Sequence, residues 1–582
     1  MERVPVEMQQ GDGTLGLMNV PAEPPSVRAA MIQQPHRSAL SVVLIHLVLA
    51  VFFLSPAWIR PDSVGVYSWL RSATFDGDLL FFNEWSRFGM MGEGFPFFKE
   101  VTERGTVANH WWIGTSILAA PFYVVSKFVA GASESLFPRD GFFGVYSAVL
   151  AWSTVLFGIL SLIISLRLLE TETDIVSRDR TLIHLAILFG TPLFWYEFRY
   201  PLGTHLAATV CIGVLIFLLA RGEPQRRACL LAIGMTIGLA MATRMQHVVL
   251  IPAVVYLFWR RGLLGQSWTW VTAGMLPPLL AQAIAWRIVY GSALGPLVSG
   301  ASLEGVTWMP FRHLAVLPVL FSSYHGLFTW CPITVLAIAG WLLRIRRGNA
   351  PLAATMLLMF LAEWLANGVF DRYFWGGLSF GPRRFTDLAV PFALGLGWFA
   401  GAVDRRIAYP TILLCTTWTV LLTTGAMAGT IDLARYLSFS KLVRLAMTVP
   451  DWSGLTRALS HAPAFDARLA ASSVVAVLII AGIALVTLGL PGFRARVAAT
   501  LGYLILFCAA LATTAPATAK RSAGASQTFR IDLRRAARFG PLIDQRTLLL
   551  DELTYFRETG QAGKAATTAE EISRIDELLR AQ

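Results

Sequence analysis

Apolar runs of roughly 20 residues, the length a helix needs to cross a bilayer, recur along most of this chain. Short polar or basic stretches separate them. The first run covers 38–58. Further runs follow at 111–130, 142–168, 182–198 and 203–220, and the last lies at about 497–515. The pattern predicts an all-α polytopic membrane protein, a bundle of about thirteen transmembrane helices. Basic clusters at Arg226 and Arg227, Arg260 and Arg261, Arg344, Arg346 and Arg347, Arg405 and Arg406, and Arg494 and Arg496 bracket the later runs. The bias of Arg toward inner loops puts all five on the cytoplasmic side. Segments 243–246, 290–325, 371–387 and 431–467 then face outward.

Counting crossings in the first half exposes a conflict. Run 38–58 starts inside, behind Arg28 and Arg37, and leads into a long polar outer loop. Four further apolar runs precede the inner cluster at Arg221, Arg226 and Arg227. If all four cross, the last ends on the wrong side. Run 111–130 is the one expected not to cross. It opens with Trp111 and Trp112, contains Pro121 and carries Lys127, which suits a helix lying in the interface. The first outer loop then spans 60–130, the charged 169–180 loop is cytoplasmic, the N-terminus is inside and the C-terminus outside.

Composition supports this class. Hydrophobic residues make up 55% and charged ones only 14%, against about a quarter charged in soluble domains. The net charge of +12 sits in clusters between apolar runs, which argues for inner loops and against nucleic acid as a partner. Cys211, Cys229, Cys331, Cys415 and Cys508 are scattered without metal-ligand spacing, so neither a metal nor another cofactor is expected. Residues 1–37 are polar and Pro-containing, and are expected to be a disordered cytoplasmic segment. Run 38–58 is too long for a signal h-region and no small-residue cleavage site follows it, so it is expected to remain as the first span. The domain proper is therefore 38–515. The tail, 516–582, is expected outside. Within it, Thr568-Ala-Glu-Glu571 predicts a capped helix start, and Ile572, Ile575, Leu578 and Leu579 recur at helical spacing.

Two outer segments collect chemistry. The first loop carries Asp62 directly after the first span, Asp76, Asp78 and Glu84 further on, and closes on Asn109-His110-Trp111. Residues 67–75, with Tyr67, Leu70 and Thr74 at helical spacing, predict an amphipathic surface helix. The second segment holds Asp371, Arg372 and Gly376-Gly-Leu-Ser-Phe-Gly-Pro-Arg-Arg384. Arginines on the outer side run against the usual bias. An arginine pair beside a Gly-rich turn suits a phosphate, whose oxygens match the guanidinium fork.

The ordered set resembles the GT-C superfamily of membrane glycosyltransferases, and more narrowly the bacterial relatives of the dolichyl-phosphate-mannose and aminoarabinose transferases. The resemblance covers about 38–400. It is carried by an acid just after the first span (Pro61-Asp62), a loop helix ending in Gly77-Asp78, and His110 ahead of Trp111. Tyr324-His-Gly-Leu-Phe-Thr-Trp-Cys-Pro332 and the Gly376–Arg384 motif look like recurring elements of such proteins. Many relatives have Asp-Glu after the first span, where this chain has Asp62-Ser63. The resemblance implies a GT-C-like bundle in the bacterial inner membrane. It also implies transfer of a sugar, hexosyl or pentosyl, from a polyprenyl-phosphate donor to a lipid or glycan acceptor on the outer face, with inversion.

A phosphate leaves without needing a proton, so the centre requires positive charge for the leaving group and a base for the acceptor hydroxyl. Asp62 is the expected base, with Arg60 and Arg71 as its countercharges. Asp78 and His110 are expected to orient the acceptor or the base. Arg383 and Arg384 are the expected phosphate ligands, followed by Arg244 and Arg199. The competing readings are a polytopic lipid or solute transporter, which also buries charges and breaks helices with Gly and Pro, and a catalytically inactive or purely structural membrane protein, given Ser63 where a second acid is usual. Convergence of the outer-loop acids with Arg383 and Arg384 on one outward cavity favours the enzyme, and scatter counts against it.

Overall fold

The computed structural model describes residues 4–9, 15–20, 40–55, 60–90, 98, 100–132, 141–142, 145–223, 226–299, 314–370, 374–448, 451–460, 462–465, 549–550, 553, 557 and 562–580. The expected last span at about 497–515, most of the tail before 562, and Asp371, Arg372, Arg494 and Arg496 lie outside these residues.

Apart from one hairpin and an isolated bridge between Val101 and Val107, the regular structure of the described residues is helical. Strands β1 (Val4–Gln9) and β2 (Leu15–Val20) pair antiparallel, with Val4 opposite Val20 and Val6 opposite Met18. This differs from the irregular N-terminus expected from polarity. Val4, Val6 and Met8 alternate with other residues at the period of a strand.

The helices run as follows: α1 (Leu40–Phe53), α2 (Pro61–Arg71), α3 (Phe82–Arg87), α4 (Gly114–Ala132), α5 (Val145–Glu172), α6 (Ser177–Gly190), α7 (Thr204–Arg221), α8 (Arg227–Thr243), α9 (Ile251–Arg260) and α10 (Gln266–Tyr290). Three single turns follow, α11 (Pro296–Ser299), α12 (Pro318–Phe321) and α13 (Leu327–Trp330). Then come α14 (Ile333–Arg346), α15 (Pro351–Phe370), α16 (Ala389–Ala402), α17 (Arg405–Met427), α18 (Phe439–Ala446), α19 (Trp452–Leu459) and the tail helix α20 (Ala562–Arg580). Five of the described segments are long and apolar enough to cross a membrane: α5, α7, α15, α17, and α16 with the 3-10 turn Arg383–Leu388 that leads into it. Helices α1 and α8, and α9 with the 3-10 turn Met245–Leu250 before it, are shorter apolar segments. Several expected runs are interrupted. Run 182–198 breaks after Gly190 at Thr191-Pro192 and resumes as a π-helix, Trp195–Arg199.

Helices α8 and α10, α14 and α16, and α5 and α7 pack as pairs, and α5 also meets α4 and α16. Small residues permit the closest of these approaches. A Cβ added at Gly340 of α14 would lie 1.8 Å from the carbonyl oxygen of Gly395 on α16, the close backbone contact typical of helices packed inside a membrane.

The segment expected to form the first outer loop begins with α2. Pro61 occupies a first-turn position where its missing N–H costs nothing, and Asp62 follows in the same turn, where the helix dipole favours an acid. The helix continues as a π-helix, Ser72–Asp76, and stops at Gly77, whose φ of +69° suits glycine. Residues 63 to 72 are all buried, so this is an inner element of the loop and not the surface helix expected from Tyr67, Leu70 and Thr74.

Helix α4 lies along α2. Ser116 Oγ donates to the Val66 carbonyl at 2.9 Å, Tyr123 packs edge-on to Tyr67, and Lys127 Nζ donates to the Thr74 carbonyl at 3.4 Å. In the tail, α20 begins at Ala562, so Thr568 is an interior residue and not a cap. Lys564, Ala565 and Ala566 are strong helix formers and extend the helix upstream. Ile572 and Ile575 are buried as the spacing predicts, while Leu578 is exposed.

Candidate functional site

Asp62 and Arg383, 321 positions apart in sequence, are in direct contact: Arg383 Nη1 donates to Asp62 Oδ2 at 3.1 Å. Their side chains are 17% and 14% exposed. The other carboxylate oxygen, Oδ1, accepts from Trp111 Nε1 at 3.1 Å. Three separate elements meet here: the first turn of α2, the residues leading into α4, and the 3-10 turn Arg383–Leu388. Glycines make the meeting possible. A Cβ on Gly65 would sit 2.0 Å from the Trp111 ring, and one on Gly376, at φ +80°, would meet Ser379 Oγ at 2.9 Å and Arg383 Cγ and Nε at 3.1 Å. Tyr196 and Tyr200 lie within the electrostatic reach of both Asp62 and Arg383, and Arg60 stacks over the Tyr200 ring at 5.7 Å.

Next to this pair is a buried hub. Asp387, one turn beyond Arg383, accepts from His205 Nδ1 and His247 Nε2 at 3.0 Å each, and Arg244 Nε lies 3.2 Å away. Arg244 also donates to Thr204 Oγ1 at 3.0 Å and to Gln246 Oε1 at 2.7 Å. Gln246 reaches Glu363, which accepts in turn from Asn367 Nδ2 at 3.1 Å. The hub ties α7, the Met245–Leu250 turn and α15 to the turn that carries Arg383. Removing Asp387 takes the carboxylate from the largely buried guanidinium of Arg244. Asp387→Ala is therefore expected to cost about 3–5 kcal/mol of stability, read as a lowered unfolding midpoint in detergent. An unchanged midpoint contradicts the hub.

The other expected site residues are placed differently. Asp78 accepts from Ser72 Oγ at 2.9 Å and from the Leu80 backbone N–H at 3.1 Å. It closes a turn at the far end of the loop helix, roughly 20 Å along the axis from Asp62, so it does not orient a base there. His110 is adjacent to Trp111, but its Nε2 lies 3.2 Å from Glu100 Oε2. Arg71 is nine residues beyond Asp62 on one helix, roughly 13 Å, and pairs with Asp76 and with Glu84 (2.8 Å). Arg383 is a cation in contact with Asp62. Arg199 donates to the Phe53 and Ala458 carbonyls at 3.0 and 2.7 Å, and Arg244 is balanced by Asp387. Both act as internal staples. Arg384 is half-buried, and its carbonyl faces Gln246. Sequence reasoning missed Trp111 as a donor to Asp62, and the hub. The available signal was ionisable residues inside apolar runs: His205, Glu363 and Asp387.

The Arg71 cluster sets a pH dependence. One guanidinium serves two carboxylates, and burial pushes the Glu84 carboxyl up to about 8 against the opposing pull of Arg71. The folded state holds this proton to about pH 8, whereas an unperturbed Glu releases it near 4.5. The folded state thus binds more protons across that window, and stability falls as pH rises through it. Glu84→Gln is expected to flatten this slope in unfolding measurements between pH 5 and 8. Equal slopes contradict the assignment.

Among the described residues no group of three or more His, Cys, Asp or Glu is arranged to hold a metal ion. No family model and no curated protein matches the chain. Two solved structures are similar to it, both of ArnT, an aminoarabinose transferase, from Cupriavidus metallidurans. The form bound to undecaprenyl phosphate is 15% identical, with 83% of this chain and 76% of that chain covered and a TM-score of 0.41. The apo form is 12% identical, with 78% and 77% covered and a TM-score of 0.38.

Proposed function

We propose that this protein is a membrane glycosyltransferase. It moves a sugar from a polyprenyl-phosphate donor to a lipid or glycan acceptor at the outer face of the bacterial inner membrane. The observation that carries the reading is the Asp62–Arg383 contact. It joins one outer-loop acid, Asp62, to one arginine of the Gly-rich segment, while Asp76 and Glu84 are held by Arg71 and Asp78 by Ser72; this partial convergence favours the reading over a transporter. Asp62 Oδ2 takes the proton of the acceptor hydroxyl as the acceptor oxygen bonds to the anomeric carbon. The bond from that carbon to the phosphate oxygen breaks, and its electron pair leaves with the polyprenyl phosphate. Arg383 stabilises the charge that develops on the departing phosphate. Trp111 holds the second carboxylate oxygen and so fixes the direction of the base. A single displacement inverts the anomeric configuration.

The test is turnover. Purified protein is incubated with a panel of polyprenyl-phosphate sugars and an acceptor lipid extract, and free polyprenyl phosphate is measured by mass spectrometry. Release that depends on the protein and on one sugar of the panel supports the reading. Movement of intact donor between leaflets with no release identifies a transporter.

The reading also assigns α4 to the outer interface. Its start packs on Ala242 and Thr243 at the end of α8, and Lys127 touches Thr74 of the first loop. Charge patterning places both of those segments outside. Cysteines placed at Ile117 and Lys127 are therefore expected to react alike with an impermeant maleimide added from outside. Reaction of the Lys127 position only from the cytoplasmic side shows that α4 crosses.

A further inference from the structure

The segment after α17 folds into an arm whose two helices are amphipathic and only partly covered. Helix α18 buries Leu442 and Ala446 against the bundle. Phe439 and Met447 stand at the exposed edge of that apolar face, with Lys441 and Arg444 on the outer side. Helix α19 turns Gly454 onto the Ala428 carbonyl and presents Trp452 and Arg457 outward. Met447 and Trp452 are each 68% exposed. Large apolar side chains exposed beside basic ones have the composition of a helix lying at a lipid headgroup boundary.

The position of the arm agrees with its composition. Helix α1 exposes Leu40, Leu44, Val48 and Phe52, one stripe at helical spacing. The stripe ends at Phe52, whose ring is 6.5 Å from that of Phe465, and Ala464 N–H donates to the Val51 carbonyl at 2.9 Å. The arm thus sits at the end of a lipid-facing stripe, level with the end of that helix. It is also tied to the candidate site, because Arg199 donates to the Ala458 carbonyl of α19. Its basic residues outnumber its acidic ones. The described residues between 431 and 465 include Arg435, Lys441, Arg444 and Arg457 against Asp432 and Asp451. Asp432 lies 3.2 Å from Arg435, and Asp451 caps α19 through the Ser453 and Gly454 N–H groups.

We infer that α18 and α19 form an interfacial arm that docks on anionic lipid headgroups. Phe439, Met447 and Trp452 enter the acyl boundary, and Lys441, Arg444 and Arg457 contact the headgroups. The inference rests on the membrane placement of the chain and not on sugar transfer.

The test uses full-length protein in nanodiscs of phosphatidylglycerol or phosphatidylcholine. A photoreactive phosphatidylglycerol is expected to cross-link to residues 439–457. With Lys441, Arg444 and Arg457 all changed to Gln, the yield is expected to fall at least ~10-fold, since each basic residue near an anionic surface contributes roughly a fivefold preference. Nitroxides at Met447→Cys and Trp452→Cys, with unmodified protein labelled as the blank, report depth by collision with oxygen against a nickel chelate. Oxygen-favoured labels, deeper in phosphatidylglycerol, support the arm. Nickel-favoured labels overturn it. Cross-linking or depth equal in both lipids and in the triple variant overturns headgroup recognition.

Discussion

Asp62→Asn is expected to bind donor normally and to turn over at least ~100-fold more slowly, the usual scale for losing general-base help. Asparagine keeps the size of the side chain, and its carbonyl oxygen still accepts the Trp111 N–H seen at 3.1 Å. The variant loses the capacity to take a proton and the negative charge that faces Arg383. Its unfolding midpoint should fall by less than that of Asp387→Ala, which loses three partners, and the main defect should show in kcat. Asp78→Asn should be close to wild type, because Asp78 closes a turn with Ser72 and Leu80. A dead Asp78 variant beside a normal Asp62 variant reverses the roles, and the site must then be sought at the far end of the loop helix.

Arg383→Ala is expected to lose ~10²–10³-fold in kcat/KM, the scale of removing one preorganised donor to a developing anion. The loss has two parts. The departing phosphate loses its cation, and Asp62 is left without the guanidinium that contacts it at 3.1 Å. Lysine restores charge and loses the planar fork, so Arg383→Lys should recover only part of the activity. Arg384→Ala should be milder, since Arg383 is the member of the pair that meets Asp62. Donor affinity and turnover measured for the three variants decide this. Wild-type values for Arg383→Ala remove the clamp.

The helical membrane class was legible because it follows from run length and charge depletion, which are local properties. Asp62 and Arg383, the two residues the proposed function rests on, stand out in the sequence for a related reason: they are charges beside apolar runs, where they are costly without a purpose. Their contact was not legible, because nothing local records a pairing across 321 positions. The partners of Arg244 and Arg199 were not legible for the same reason. A cation in an outer segment looks like a phosphate ligand until its partner is known, and Asp387 and the Phe53 and Ala458 carbonyls are distant in sequence. The partner of Asp78 is a matter of turn chemistry. An Asp side chain commonly accepts from the backbone two residues on, as it does here from Leu80. Trp111 was read as an interfacial anchor. Its indole N–H can serve Asp62 only because Gly65 leaves room for the ring.

The central claim is that Asp62 and Arg383 work at one reacting centre, and a double-mutant cycle on turnover tests it most directly. Donor release is measured for wild type, Asp62→Asn, Arg383→Ala and the double variant under single-turnover conditions. Groups acting on the same transition state are coupled, typically by about 0.5–3 kcal/mol. The double variant should therefore lose clearly less than the product of the two single losses. Losses that multiply fully, within about 0.3–0.5 kcal/mol, show two independent sites and contradict the account.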